Sequence, residues 1–251
     1  MYHGIHNAIN DVGEFDANYS VTESVFREHL TCLRDNRYKV SLLREIDNAD
    51  SDHAQVVLTF DDGDKSCIMK ALPILLEFGM KAEFFVTTGK VGVDKIALDE
   101  ADLRQLSAAG MSVQSHGVTH KFLTGLNDSE LYQELSKSKL FIENITQQHV
   151  EYLSLPGGRG DLRVMNMAKS LGYEAICTSS FGINKSACGL FNLQRITIYR
   201  ETSTKKLISM MSGKGIYYWL LVLINRSLDK IKTLLGDQVY DKLYNSVSKY
   251  R

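Results

Sequence analysis

From residue 55 to residue 199, short apolar runs alternate with segments of helical periodicity, and few architectures accommodate that order. QVVLTF (55–60), KAEFFVT (81–87), MSVQSH (111–116), VEYLSL (150–155), YEAICTS (173–179) and LQRITIY (193–199) read as strands. Between them, KSCIMKALPILLEFG (65–79) carries apolar residues at helical spacing and ends on glycine. LDEADLRQLSAAG (98–110) reads as a helix with Asp99 as N-cap and Gly110 as stop. Further helical patterns cover about 127–146 and 161–171, and residues 22–43 fit a helix followed by a strand. Strands separated by helices of this length predict a parallel sheet with crossover helices. Six or seven such units in succession predict an α/β barrel, distorted or incomplete, with a doubly wound open sheet as the alternative. Beyond about residue 203 the pattern is helical only. Residues 1–202 are therefore expected to form the main domain, with 203–251 as a helical extension packed on it.

The polar clusters fall at particular points of this pattern. Asp61 and Asp62 end one strand, Ser115 and His116 end the next but one, and Pro156 to Asp161 follow another. In parallel α/β architectures the C-terminal ends of the strands gather on one face, and that face carries the chemistry. These clusters are expected to converge.

SHGVTH (115–120) holds two histidines four residues apart, which can present their imidazoles to one metal ion. The spacing alone fits a pair of solvated loop histidines equally well. With the Asp–Asp pair on a neighbouring strand end, a His, His, Asp ligand set becomes possible, leaving a position open for water. The two carboxylates of TFDDGD (59–64) can then divide their roles, one coordinating the ion and the other accepting a proton. Asp62 or Asp64 can instead cap the following helix, and Asp64 is the better placed for that. Gly63 lets the backbone turn sharply there. LSLPGGRGD (153–161) has the composition of a strand-to-helix turn, with Asp161 as N-cap and the Gly157 amide available to a developing oxyanion.

A formal net charge of -1 without long runs of one sign argues against nucleic acid as a partner. The four cysteines, Cys32, Cys67, Cys177 and Cys188, form no CxxC pair and read as reduced thiols. MYHGIHNAIN has neither the basic nor the apolar region of a secretory signal, so a cytoplasmic location is expected. GIYYWLLVLIN (215–225) is about half the length needed to cross a bilayer. It reads as a helix packed on the main domain. Lys205, Lys206 and Lys214 before it, and Arg226, Lys230 and Lys232 after it, give the alternative of peripheral membrane contact through 214–232, at the inner face of the membrane.

TFDDG (59–63), SHGVTH (115–120) and the PGGRGD turn (156–161) together resemble the polysaccharide deacetylases of carbohydrate esterase family 4, which share a NodB-homology domain. The opening MYHGI and the segment FREHLTCLRDNRYKVSLLREI (26–46) are similar to members whose domain starts with a tyrosine–histidine strand, and the resemblance covers roughly residues 1–200. It implies a distorted (β/α)7 barrel. It implies Asp61 as catalytic base, and Asp62, His116 and His120 as ligands of a divalent ion, usually zinc, with cobalt, nickel or manganese as alternatives. The implied reaction is hydrolysis of the acetamide of an N-acetylated sugar, with the Gly157 amide holding the oxyanion.

Three positions depart from the family's pattern. Gly117 stands where a hydroxyl residue is common. Ser154 stands where an arginine orients the base, which puts the orientation and pKa of Asp61 in question. Tyr199 stands where a histidine protonates the leaving amine, and a tyrosine with a pKa near ~10 is a weaker acid. His3 or His6 could substitute, although His3 also reads as a buried structural residue and His6 as a solvated one. The expected activity is metal-dependent N-deacetylation of a glycan, nucleotide-linked or lipid-linked sugar in surface-polysaccharide biosynthesis. The alternatives are a sugar-binding pseudoenzyme and a C–N hydrolase acting on a non-sugar amide.

Overall fold

The computed structural model describes residues 1–46, 54–184 and 189–235. Six strands form one parallel sheet in sequence order: β3 (Thr59–Phe60), β4 (Glu83–Val86), β5 (Ser112–Ser115), β6 (Tyr152–Ser154), β7 (Ala175–Phe181) and β8 (Leu193–Arg195). A small parallel pair, β1 (Lys39–Val40) with β2 (Gln55–Val56), lies outside it. The predicted strand 55–60 thus changes partner midway, Gln55 and Val56 pairing with β1, and Thr59 and Phe60 with β4.

The helices follow the expected order. α1 (Glu23–Asp35) precedes β1, α2 (Leu72–Glu77) connects β3 to β4, and α3 (Glu100–Ala108) connects β4 to β5. α4 (Asp128–Thr146) and α5 (Leu162–Ser170) make the next two crossovers. Their ends are chemically fixed. Asp99 caps α3 in a reciprocal box with Asp102, Asn127 does the same for α4 with Glu130, and Asp161 accepts from the Val164 amide at 2.8 Å. The segment before α2 is a π-helical turn over Cys67–Ala71. Asp64 accepts from the Ser66 amide two residues on (2.8 Å), a local turn bond. The cap position itself falls to Ser66, whose side chain makes no capping hydrogen bond, so the cap expected of Asp64 is not formed.

The two edges of the sheet are joined by the first residues of the chain. Tyr2 N donates to Thr59 O (2.7 Å) and Asp61 N to Tyr2 O (3.0 Å) on the β3 side. Met1 N donates to Ile196 O (2.8 Å) and Ile198 N to Met1 O (2.9 Å) beyond β8. Six strands curled into a half-barrel, with this seam between the edges, agree with the distorted barrel expected of the chain. An aromatic column backs the seam: Tyr2 stacks on Phe60 (5.3 Å), and Phe60 on Phe84 (5.0 Å). Each ring is buried, and burial of such side chains contributes roughly 1.5–3 kcal/mol apiece. The Tyr2 hydroxyl donates to His29 Nδ1 (3.1 Å), while His29 Nε2–H donates to Thr202 O (2.7 Å), tying α1 to the chain after β8.

Past residue 203, α6 (Thr204–Met211) and α7 (Gly215–Leu235) follow. α6 buries Leu207 and Met210, and α7 sets Tyr218 against Phe181 of β7 at 5.6 Å. Residues 236–251 of the expected helical extension, and Cys188, lie outside the described residues.

Candidate active site

The strand ends gather the polar clusters as the alternation predicts. Asp61 and Asp62 follow β3, His116 follows β5 and Ser154 closes β6. Asp62 and His120 both have left-handed backbone, φ 76° and 60°. For a residue other than glycine this costs on the order of 1 kcal/mol or more, and such strain concentrates at functional sites. The cost is met by the surroundings: Leu98 N donates to Gly63 O (2.9 Å), and Gly89 N to Val118 O (2.8 Å).

Asp62 Oδ1 lies 3.3 Å from His116 Nε2 and 3.1 Å from His120 Nε2, and one ligand atom from each residue falls within 4.8 Å of the others. Two imidazole nitrogens and a carboxylate oxygen are the donor set of a hydrolytic metal centre. The surroundings of His116 fit the same role. Its Nδ1–H donates to Ser154 O at 2.8 Å, which fixes the tautomer and turns the Nε2 lone pair toward Asp62. The residues present therefore fit a divalent cation.

Glu134, buried on α4, organises the loop that carries His120. Its Oε2 accepts from the amides of Val118 (2.7 Å) and Thr119 (2.9 Å), and its Oε1 accepts from the Thr119 hydroxyl (2.6 Å). Gly117 has φ 75°, and a Cβ there would come within 3.1 Å of the same carboxylate. Glu134 and the Ser115 hydroxyl, which accepts from Gly117 N (3.2 Å), stabilise the loop in which a hydroxyl at 117 was missed.

Asp61 is 3% exposed and held by Arg195 of β8. Arg195 Nη1 donates to Oδ1 and Nη2 to Oδ2, both at 2.8 Å, a two-point fork. The Ser154 hydroxyl donates to Oδ2 (2.9 Å) and accepts from Arg195 Nη2 (2.8 Å). Arg195 is itself anchored by Nε donating to Thr178 O (2.8 Å). Burial alone would raise the Asp61 pKa. The Arg195 charge, helped by His116, overrides it and brings the group from 3.8 to about 2. The doubt raised by Ser154 is thereby answered: the orienting arginine comes from β8, and Ser154 is its hydrogen-bonded partner. An arginine inside the apolar run LQRITIY was the available signal.

A cleft of about 260 Å³ opens over this cluster, lined by Asp62, His120, His3, Phe15 and Tyr19 among others. Asp61 and His116 are buried and do not line it. The His3 ring lies tilted by 40° against Tyr19 at 4.6 Å, and its Nδ1 is buried without a hydrogen-bond partner. Withdrawal from water holds the His3 pKa below the ordinary value, against the opposing pull of Asp62 and Asp61. Tyr199 is 48% exposed and stacks on Tyr19 at 5.4 Å; it lines a second cleft with Tyr217 and Leu221 of α7. Gly157 has φ 64°, and a Cβ there would collide with the Phe122 ring. It does not line the main cleft.

His6 departs from expectation. It is fully buried, with Nδ1 2.9 Å from Ser20 Oγ and Nε2 3.2 Å from Asp64 Oδ1. Asp64 also accepts from the Ser66 hydroxyl and the Glu14 amide. Asp64 thus clamps the loop of residues 4–16 that walls the cleft. His6 is a structural residue of that clamp because Gly4, Ser20 and Asp64 enclose its ring.

The half-barrel is similar to a solved structure of the deacetylase PplD from Streptococcus pyogenes in complex with acetate, with a TM-score of 0.75 at 27% identity over 84% of this chain and 95% of that one. The fold and its cluster of strand-end residues thus define a NodB-like barrel of the carbohydrate deacetylase class. The family model described as polysaccharide deacetylase matches residues 48–176, more than half of the chain. The chain belongs to that family, carbohydrate esterase family 4. Among curated relatives, YxkH of Bacillus subtilis (strain 168), named as a polysaccharide deacetylase, is 28% identical over 204 residues, covering 79% of this chain and 70% of that protein. The chitooligosaccharide deacetylase of Rhizobium leguminosarum bv. trifolii is 35% identical over 94 residues, 37% of this chain and 41% of that one.

Proposed function

We propose that this protein is a metal-dependent N-deacetylase that hydrolyses the acetamide of an N-acetylated sugar during surface-polysaccharide biosynthesis. The observation that carries the reading is the pairing of two arrangements. An ionised Asp61 is fixed by Arg195, next to an Asp62–His116–His120 set whose donor atoms converge. A divalent cation held by that set, zinc before cobalt, nickel or manganese, would polarise the acetamide carbonyl and acidify the attacking water enough for so weak a base as Asp61. Asp61 then accepts the water proton, and Arg195 and Ser154 act as positioning residues that aim its carboxylate. The family resemblance would give the developing oxyanion to the Gly157 N–H, a role that the position of Gly157 outside the main cleft does not itself support. The products are acetate and a free sugar amine.

His3 is assigned the proton that the leaving amine needs. It lines the main cleft and has an unpartnered ring nitrogen, whereas Tyr199 lines the second cleft. A histidine of lowered pKa is scarce in its protonated form at neutral pH, but it is a strong acid when it holds the proton. His3→Gln is expected to lower kcat about a hundredfold, while Tyr199→Phe changes it less than about threefold. The opposite ranking in steady-state acetate release would move the role to Tyr199.

The site of action is proposed to be the cytoplasm, on a nucleotide-linked or lipid-linked sugar. Acetate release from nucleotide-linked, lipid-linked and oligomeric N-acetyl sugars, using protein with one divalent ion per chain, tests the reading. Metal-loaded protein that frees acetate from none of them would turn the assignment toward a binding protein or a non-sugar amide.

A further inference from the structure

The helix α7 has two apolar faces, and the fold uses one. Tyr218, Leu221, Val222 and Asn225, at helical spacing i, i+3, i+4 and i+7, face the domain; Tyr218 and Val222 are 8% and 7% exposed. On the opposite side Ile216, Trp219, Leu220 and Leu223 follow the same spacing and are 89%, 60%, 52% and 63% exposed. A helix apolar all round is normally enclosed on both sides. Here one side meets water.

The charges that flank this face in the sequence favour one occupant. Between Glu201 and Asp229 the sequence contains Lys205, Lys206, Lys214 and Arg226 and no carboxylate. A second copy of the chain, paired symmetrically through this stripe, would set cation against cation. An anionic lipid surface satisfies both halves at once, with apolar side chains in the acyl boundary and lysines among the headgroups. Trp219 and Tyr217 add the aromatic residues that favour that boundary. Among the described residues no single helix is long and apolar enough to cross a membrane. α6 and α7 meet instead at a 78° bend, so α7 can lie along a surface while α6 stays on the domain.

We propose that α7 is an interfacial anchor that docks this protein on anionic lipid through Ile216, Trp219, Leu220 and Leu223. Docking would bring the second cleft, walled by Tyr199 and Tyr217, to the level of the headgroups. Through the Tyr199–Tyr19 stack this cleft adjoins the candidate active site. The proposal stands on α7 and the lysines that precede it, and does not need the deacetylase reading.

Trp219 is the only tryptophan in the chain, so its fluorescence reports on this face directly. Vesicles of phosphatidylglycerol and phosphatidylcholine are expected to shift its emission to the blue and to sediment the protein. Vesicles of phosphatidylcholine alone should do so far less, and added salt should reverse the binding. Lys205→Glu with Lys214→Glu should weaken partitioning by at least about fivefold per site. Ile216→Glu with Leu223→Glu should abolish it while leaving the thermal midpoint unchanged, since both side chains are exposed. No emission shift with anionic vesicles would overturn the proposal. So would a wild-type dimer, seen by light scattering, that the Ile216→Glu, Leu223→Glu variant converts to monomer.

Discussion

Replacing Arg195 by methionine is expected to destabilise the protein by about 3–5 kcal/mol at pH 7, read from urea unfolding midpoints, because it leaves a buried carboxylate without its partner. The pH dependence distinguishes this from simple loss of packing. In the wild type the Asp61 pKa is lowered to about 2, so the contribution of the ion pair is complete above the unfolded value near 3.8 and fades as the pH falls through about 2. In the variant, only His116 and His3 still oppose burial, and the Asp61 pKa rises. Acidification toward pH 4 then protonates the group and relieves the penalty, so the gap between variant and wild type narrows. Arg195→Lys keeps the charge but loses the fork, and should fall between the two. A gap that stays constant from pH 7 to pH 4 would mean that Arg195 stabilises by packing over Phe85 rather than through Asp61.

Loss of a single imidazole should have the largest effect on activity. His116→Ala is expected to take metal content from about one ion per chain to none and to lower acetate release by at least about a thousandfold, since several kcal/mol of charge stabilisation depart with the ion. Because His116 is buried and bonded to Ser154, the substitution also perturbs the fold. His120→Ala is the cleaner variant, its ring being partly exposed. A chelator should lower the thermal midpoint of the wild type and leave that of His120→Ala unchanged. Full metal occupancy in both variants would exclude these residues as the ligand set.

Much of this was legible in the sequence because it is local. The strand–helix alternation, the caps Asp99 and Asp161, and the glycine stops all rest on interactions within a few residues, and the structure has them in place. Asp62, His116 and His120 were legible because strand ends converge in any parallel barrel. What escaped were contacts made across the sheet. Arg195 reaches Asp61 over 134 residues, and nothing near Asp61 announces it. Glu134 lies inside a helix rich in charges, where a buried carboxylate has the same letters around it as an exposed one. His6 looked like a loop residue because its enclosure comes from Ser20 and Asp64, far along the chain. The split of 55–60 between two sheets was hidden because the run VVLTF is largely apolar without alternation, although residues 55–57 are half-buried and 58–60 buried.

The seam at residues 1–2 joins parts of the chain that are 195 residues apart, among the longest-range contacts in the barrel. Contacts of such separation bear the greatest loop-closure entropy and form after the local crossover units. His3 is the next residue along that segment, and Arg195 is the last residue of β8, immediately before Ile196, to which the seam attaches. A partly folded chain can therefore assemble Asp62, His116 and His120 from neighbouring crossover units while His3 is still unanchored. Competence to hold an ion would then precede competence to turn over substrate. On the proposed role of His3, the last hydrogen bonds to form in the ring would be the ones that position the acid for the leaving amine.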